Sequence, residues 1–336
     1  MSETDQIDVL SVGDIVTDAF IKLQDDQAVV YNSDDDTKWL AMPFGMKIPF
    51  DHSEIIEAVG NAPNAAVSFA RLGLNSALAA NVGGDQHGRD MIVALHKKKV
   101  DSRYVHINPG KASNYHYVLW YKEERTILIK HEEYDYHWPH LKPKEIPKWI
   151  YFSSISKNAL EMHDDMAEWL EDHPEVNLAF QPGTFQIEAG AERLDKLYRI
   201  TKVLVVNRQE AVKISHGDYD DIQGLFKRLH HLGPKIVVIT DGPTGAYASD
   251  GENHFKMPPY PDPAPPFERT GAGDAFTSTF IAALIKGSNV EGALQWAPIN
   301  SMSVVQKVGA QAGLLTQHEI SELLEKAPEW YKPERL

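Results

Sequence analysis

"ERTGAGDAFTSTFIAALIKG", residues 268 to 287, sets two glycines and a carboxylate at the start of an apolar helix. From Phe276 the apolar residues Phe276, Phe280, Ile281, Leu284 and Ile285 recur at helical spacing. Lys286 sits in the last turn, and Gly287 stands where a helix commonly ends. Gly271-Ala272-Gly273-Asp274 is therefore the loop that opens the helix. A helix start offers unpaired backbone N–H groups and the positive end of the helix dipole, and glycines let an anion approach the backbone closely. A resident phosphate would be repelled by Asp274. A hydroxyl attacking phosphorus can instead give Asp274 its proton, while the amides of Gly271, Ala272 and Gly273 hold the charge that develops on the transferred group. Helix-start amides favour the ionised carboxylate and burial disfavours it, so the sequence leaves the sign of any pKa shift open. A capped helix after a tight turn is the plain alternative for these four residues.

Outward from this stretch, short runs nearly continuous in apolar residues alternate with helical patterns. The runs are "IDVLSVG" at 7–13, "SALAANVGG" at 76–84, "WIYFSSI" at 149–155, "VNLAF" at 176–180, "VLVVN" at 203–207 and "KIVVITDG" at 235–242. Helical patterns cover 63–72, 87–99, 157–172, 187–199 and 219–232. Strands covered on both faces and separated by helices predict a three-layer α/β/α domain around a mostly parallel sheet. Residues 19–58 and 113–134 do not fit that alternation: both lean to β structure without partner helices. They predict a small sheet standing off the main domain as a lid. The core is then expected over 1–18, 59–112 and 135–336. The proline-rich piece at 258–266 reads as an extended connector into the opening motif.

Composition narrows the function. The 336 residues carry 33 Lys and Arg against 48 Asp and Glu, a net charge of −15 with no basic stripe, which argues against nucleic acid as a partner. With no cysteine, thiolate catalysis and cysteine-ligated zinc are excluded and nothing calls for an oxidising compartment. No stretch approaches the ~20 apolar residues that span a bilayer, and the acidic N-terminus lacks the basic flank of a signal peptide. These features point to a cytoplasmic protein with no membrane partner.

Other motifs add to the opening one. "VNRQEA" at 206–211 places Asn207 and Glu210 three apart after a strand. The pair can serve a hydrated Mg²⁺ beside phosphates, Glu210 acting through water, or it can be an ordinary helix cap. "VITDGPTGAY" at 238–247 runs a strand into a turn with Thr240, Gly242 and Gly245, suited to close approach of a nucleotide and equally to a plain hairpin. "VGDIVTD" puts Asp18 after the first strand, and "VGNAPNAAVSFARLG" puts Gly60 and Asn64 at a helix opening. Such side chains suit polyol hydroxyls, and also caps and turns. His131, His137 and His140 read as an exposed polar face, and no metal is assigned to them.

Taken in order, these motifs resemble the signatures of the ribokinase/PfkB family of carbohydrate and nucleoside kinases. The matching segments are the turn at Gly13 and Asp18, Gly60 and Asn64 with "ARLG" after them, Asn207 and Glu210, the turn at Thr240, Gly242 and Gly245, and the Gly-Ala-Gly-Asp loop. A sixth, "APINSMSVVQKVGAQAGL" at 297–314, is similar to the family's last core helix. The resemblance implies a ribokinase-like fold and transfer of the γ-phosphate of ATP, with Mg²⁺, to a primary hydroxyl. It implies Asp274 as base, Gly271, Ala272 and Gly273 as anion hole, and Asp18, Gly60 and Asn64 as holders of substrate hydroxyls. Asn207 and Glu210 would serve Mg²⁺ and phosphates, Thr240, Gly242 and Gly245 the nucleotide, and Asn300 would lie near the adenine. The lid would also join two copies in a homodimer.

Departures bear on specificity. Glu268 and Arg269 stand where many members have an aspartate and a threonine, which leaves K⁺ activation open. Arg269 can supply positive charge near the transferring phosphate, or be a solvent-facing loop arginine. Gln181-Pro182-Gly183 replaces a polar turn that several sugar kinases use. A sugar or sugar acid is the first expected substrate, and a nucleoside the second. A sensor that binds sugar or nucleotide without turnover is the alternative from outside enzymology.

Overall fold

The computed structural model describes residues 6–34, 37–122, 124–267 and 269–336. Among them ten strands form one sheet. Their spatial order is Glu334–Arg335, His254–Met257, Ala246–Ser249, Ile236–Thr240, Thr201–Asn207, Asn177–Phe180, Trp149–Phe152, Val9–Val12, Ser76–Gly83 and Asp101–Asn108. From Ile236–Thr240 to Asp101–Asn108 every neighbouring pair is parallel, and the three strands at the other end run antiparallel.

The apolar runs become central strands because both of their faces are covered. Leu10, Val12, Ile150, Phe152, Leu178, Phe180, Leu204 and Val206 point to one side, where Met162, Met166, Leu197, Ala211 and Leu225 of the flanking helices meet them. Val9, Trp149, Tyr151, Ala179, Val203 and Val205 point to the other, against Phe69, Phe280, Ile281 and Leu294. This alternation is the period of two of a strand, and it yields the three layers. Each side chain of this size that is fully buried contributes roughly 1.5–3 kcal/mol.

Local expectations differ from the structure in three places. The helix expected over 187–199 is two short ones, Thr184–Ala189 and Asp195–Ile200, separated at Gly190, whose φ is 87°. The strand Asp101–Asn108 had no expectation, because as an edge strand it keeps polar residues on its open face and lacks the continuous apolar run. The helix expected within 297–314 spans Val290–Val304, and an irregular segment follows.

A separate sheet of order Phe50–Val59, Val16–Leu23, Tyr115–Tyr121, Glu124–Lys130 forms the lid. It takes in Val16, Thr17 and Asp18, three residues ahead of the expected boundary, because the chain leaves the first core strand and enters the second sheet almost directly. A two-stranded ribbon, Val29–Asn32 with Lys38–Ala41, lies beyond it and is tied in by the Tyr121 hydroxyl donating to the Ala28 carbonyl at 2.8 Å. No helix of the described residues is long and apolar enough to cross a membrane.

Candidate active site

Parallel strands all end on one edge of the sheet, so the loops that follow Val12, Phe152, Phe180, Asn207 and Thr240 converge there. The Ala272–Ile285 helix starts at the same place, entered through Gly271 at φ 77°. A side chain on Gly271 would need a left-handed backbone and would overlap Ala310, so glycine is required twice over. Gly273 differs: a Cβ there would meet nothing within 4 Å, so the first turn faces open space.

Asp274, in that first turn, is only 6% exposed. The helix Asn61–Arg71 packs on its helix through small residues, with the Ser278 hydroxyl donating to Ser68 Oγ at 2.7 Å. This packing brings Asn61 and Asn64, which share one helical face, onto the carboxylate. Asn61 Nδ2 donates to Oδ1 at 2.7 Å and Asn64 Nδ2 donates to Oδ2 at 2.8 Å. Burial pushes the Asp274 carboxyl up to about 6, against the opposing pull of Asn64, Asn61 and Gln181. The sign left open by the sequence is therefore upward. The Tyr151 hydroxyl donates to Gln181 Oε1 at 2.9 Å, which leaves the amide nitrogen of Gln181 to face Asp274. Gln181, noted from sequence only as a lost contact, is thus part of the carboxylate's surroundings.

Beside this carboxylate lies a cleft of about 300 Å³. It gathers Thr240, Gly242, Gly245, Arg269, Ala272 and Gly273, with Phe276, Met302 and Val305 as an apolar wall. The turn at Gly242–Thr244 joins Ile236–Thr240 to the antiparallel Ala246–Ser249, so the segment is both a hairpin and a wall of the cleft.

Other sequence-selected residues stand elsewhere. Asn207 and Glu210 form a reciprocal cap, with Asn207 N donating to Glu210 Oε2 at 2.8 Å and Glu210 N donating to Asn207 Oδ1 at 2.9 Å. Asn207 pairs with Thr240 across the strands and so reaches the same edge. Burial raises the Glu210 carboxyl, partly offset by Asn207 and Lys213. Asn300 does not reach the cleft. It is fully buried, donates to Thr279 Oγ1 at 2.7 Å and accepts from Leu315 N at 2.8 Å, while Ser301 and Met302 line the cleft instead. One helical position turns a side chain by about 100°, which sequence spacing alone did not resolve here. Glu268 and the cation question attached to it lie outside the described residues.

Asp18 and Gly60 belong to a second group. Asp18 Oδ1 lies 3.2 Å from His116 Nδ1, and His116 Nε2 lies 3.3 Å from His131 Nε2. His131 Nδ1 is 3.6 Å from Asp14 Oδ2, and the Tyr136 hydroxyl donates to Asp14 Oδ1 at 2.7 Å. Gly60, at φ 118°, is pressed against the Asp14 carbonyl oxygen, which a Cβ would approach to 2.8 Å. His131 is exposed, as expected for it, with one ring edge turned toward His116 and Asp14. Asn61, Asp14, His116 and Tyr136 were missed. Only Asn61 had a local signal, its spacing of three from Asn64.

Comparison with known proteins shows the family and the fold. The model of the pfkB family carbohydrate kinases matches residues 56–317. An uncharacterized sugar kinase of Archaeoglobus fulgidus is 25% identical over 252 residues, covering 74% of this chain and 98% of the relative. The ribokinase of Bacillus subtilis is 26% identical over 276 residues, covering 79% and 87%. A putative ribokinase II from E. coli, solved in complex with ATP and Mg²⁺, superposes with a TM-score of 0.73 at 17% identity, over 95% of this chain and 99% of that one. The chain is a phosphotransferase that belongs to the pfkB family of carbohydrate kinases.

Proposed function

We propose that the protein transfers the γ-phosphate of ATP to a primary hydroxyl of a sugar or sugar acid, with Asp274 as the general base. The observation that carries this reading is the buried Asp274 carboxyl at about 6, held by two asparagine amides at a helix start whose Ala272 and Gly273 line the cleft. At neutral pH most of it is ionised, and it is basic enough to accept a proton as the hydroxyl oxygen attacks phosphorus. Its two amide donors fix the carboxylate plane, which matters more than its basicity.

The residues fit the nucleotide. The cleft combines an apolar wall for a base with a glycine-opened helix start whose amides suit phosphate oxygens. Arg269 adds positive charge at the cleft. The cap on Glu210 occupies Oε2 and leaves Oε1 to reach a hydrated Mg²⁺ through water. When bound, that ion would neutralise phosphate charge. Asp18 and Gly60 would line the acceptor site beneath the lid, which shields the reaction from water. Exposed Ile55, Tyr117 and Leu128, aligned in one row across the lid, support its use as a homodimer seam.

The test is ATP consumption with Mg²⁺ against a panel of sugars, sugar acids and nucleosides, with Asp274→Asn alongside. Turnover with a sugar, lost by orders of magnitude in the variant while ATP still binds, supports the reading. Turnover with nucleosides alone would replace the substrate class, and equal ligand binding without turnover in either protein would favour a sensor.

A further inference from the structure

On the side of Asn64 away from Asp274, polar side chains continue in a line that ends on a cation. Asn64 Oδ1 accepts from Gln311 Nε2 at 2.8 Å, and the same nitrogen donates to the Ala58 carbonyl at 2.8 Å. Gln311 Oε1 accepts from Lys98 Nζ, which also donates to the Glu57 carbonyl at 3.4 Å. An ammonium can only donate and a backbone carbonyl can only accept, so these two neighbours fix which end of Gln311 faces which way. The consequence passes on. Gln311 presents N–H to Asn64, Asn64 must answer with its oxygen, and its own NH₂ is left for the carboxylate.

We infer that Lys98 and Gln311 are positioning residues, which hold Asn64 in the one amide orientation that donates to Asp274. The inference rests on Asp274 being the base.

Three features support it. Lys98 forms part of a cavity of about 700 Å³, with Arg71, Lys97, Lys99, Glu54 and Glu57 also on its walls. Burial lowers the pKa of Lys98, an effect that Glu57 opposes, and the cavity gives the side chain an open side. The relay is also tied to the lid, because Glu57 and Ala58 lie just before the end of the Phe50–Val59 strand, where the chain returns to the core. Ala58 takes a φ of 59°, unusual for alanine, and its carbonyl is one of the two groups that fix Gln311. Finally, the charged and titratable groups around the two ends are separate. Tyr151 faces Asp274, and Glu57 faces Lys98.

Gln311→Glu tests the direction of the amides. It keeps the shape and the contact with Lys98, at the cost of the donation to the Ala58 carbonyl. A carboxylate at 311 cannot donate, so it turns the NH₂ of Asn64 toward itself and the oxygen of Asn64 toward Asp274. The readout is the titration of the Asp274 carboxyl, followed by ¹³C NMR of carboxyl-labelled protein and assigned by its loss in Asp274→Asn. The titration should move upward by about one pH unit in Gln311→Glu and by about half a unit in Lys98→Met, with Lys98→Arg returning it. The acidic limb of kcat/KM should move with it. A purely structural role for Lys98 and Gln311 would lower Tm without moving the titration, and an unmoved titration in both Gln311→Glu and Lys98→Met overturns the inference. If Asp274→Asn turns over like the parent, the base assignment itself has failed and the relay falls with it.

Discussion

Asp274→Asn should change the pH dependence of stability in a direction set by burial. In the folded protein the carboxyl is raised from the ordinary value of 3.8 to about 6. Between these values the unfolded chain has released the proton while the native protein still holds it, so stability falls as pH rises. A gap of about two pH units at about 1.4 kcal/mol each gives roughly 3 kcal/mol lost by the parent between pH 4 and 6, with a plateau above. Asparagine at 274 has no such dependence. Thermal unfolding of both proteins at steps from pH 4 to 7.5 isolates the effect, since every other titrating group is common to the pair. For 336 residues the unfolding entropy is about 0.7 kcal/mol/K, so the parent's Tm should fall by roughly 4 °C relative to the variant across that window. The same group should place the acidic limb of kcat/KM near pH 6. A Tm difference that stays constant with pH, or that changes in the parent's favour as pH rises, would refute a buried, raised carboxyl.

Four further outcomes follow from the site. Gly271→Ala should destabilise the protein by about 2–4 kcal/mol, read in chemical denaturation, because it combines a left-handed backbone with overlap onto Ala310. Gly273→Ala should leave stability within about 0.5 kcal/mol yet raise KM for ATP, because its Cβ would enter the open space beside the cleft. Asn300→Ala should cost about 2–3 kcal/mol in denaturant melts while KM for ATP stays unchanged, since its amide serves Thr279 and Leu315 inside the core. Arg269→Ala should lower kcat about tenfold or more without loss of Tm, and equal kinetics in the variant would return Arg269 to a solvent-facing role.

Much of this protein is written locally. The apolar runs at 7–13, 149–155 and 203–207 declare strands covered on both sides, because an alternating pattern would have left one face to water. The Gly-Ala-Gly-Asp loop declares a helix start able to receive an anion, because backbone amides and φ freedom are properties of a few adjacent residues. The lid was visible as β-leaning sequence without helices, although its first strand begins earlier than the pattern suggested. What the sequence could not supply was contact across distance. Asn61 and Asn64 reach Asp274 across more than 200 residues, and only the packing of two helices on one face of the sheet brings them together. The same holds for Lys98 and Gln311, for His131 against Asp14, and for Asn300, whose burial follows from the rotation of its helix against its neighbour. The upward shift of Asp274 belongs with these, because desolvation is set by everything that surrounds a carboxyl and not by the residues beside it in the chain.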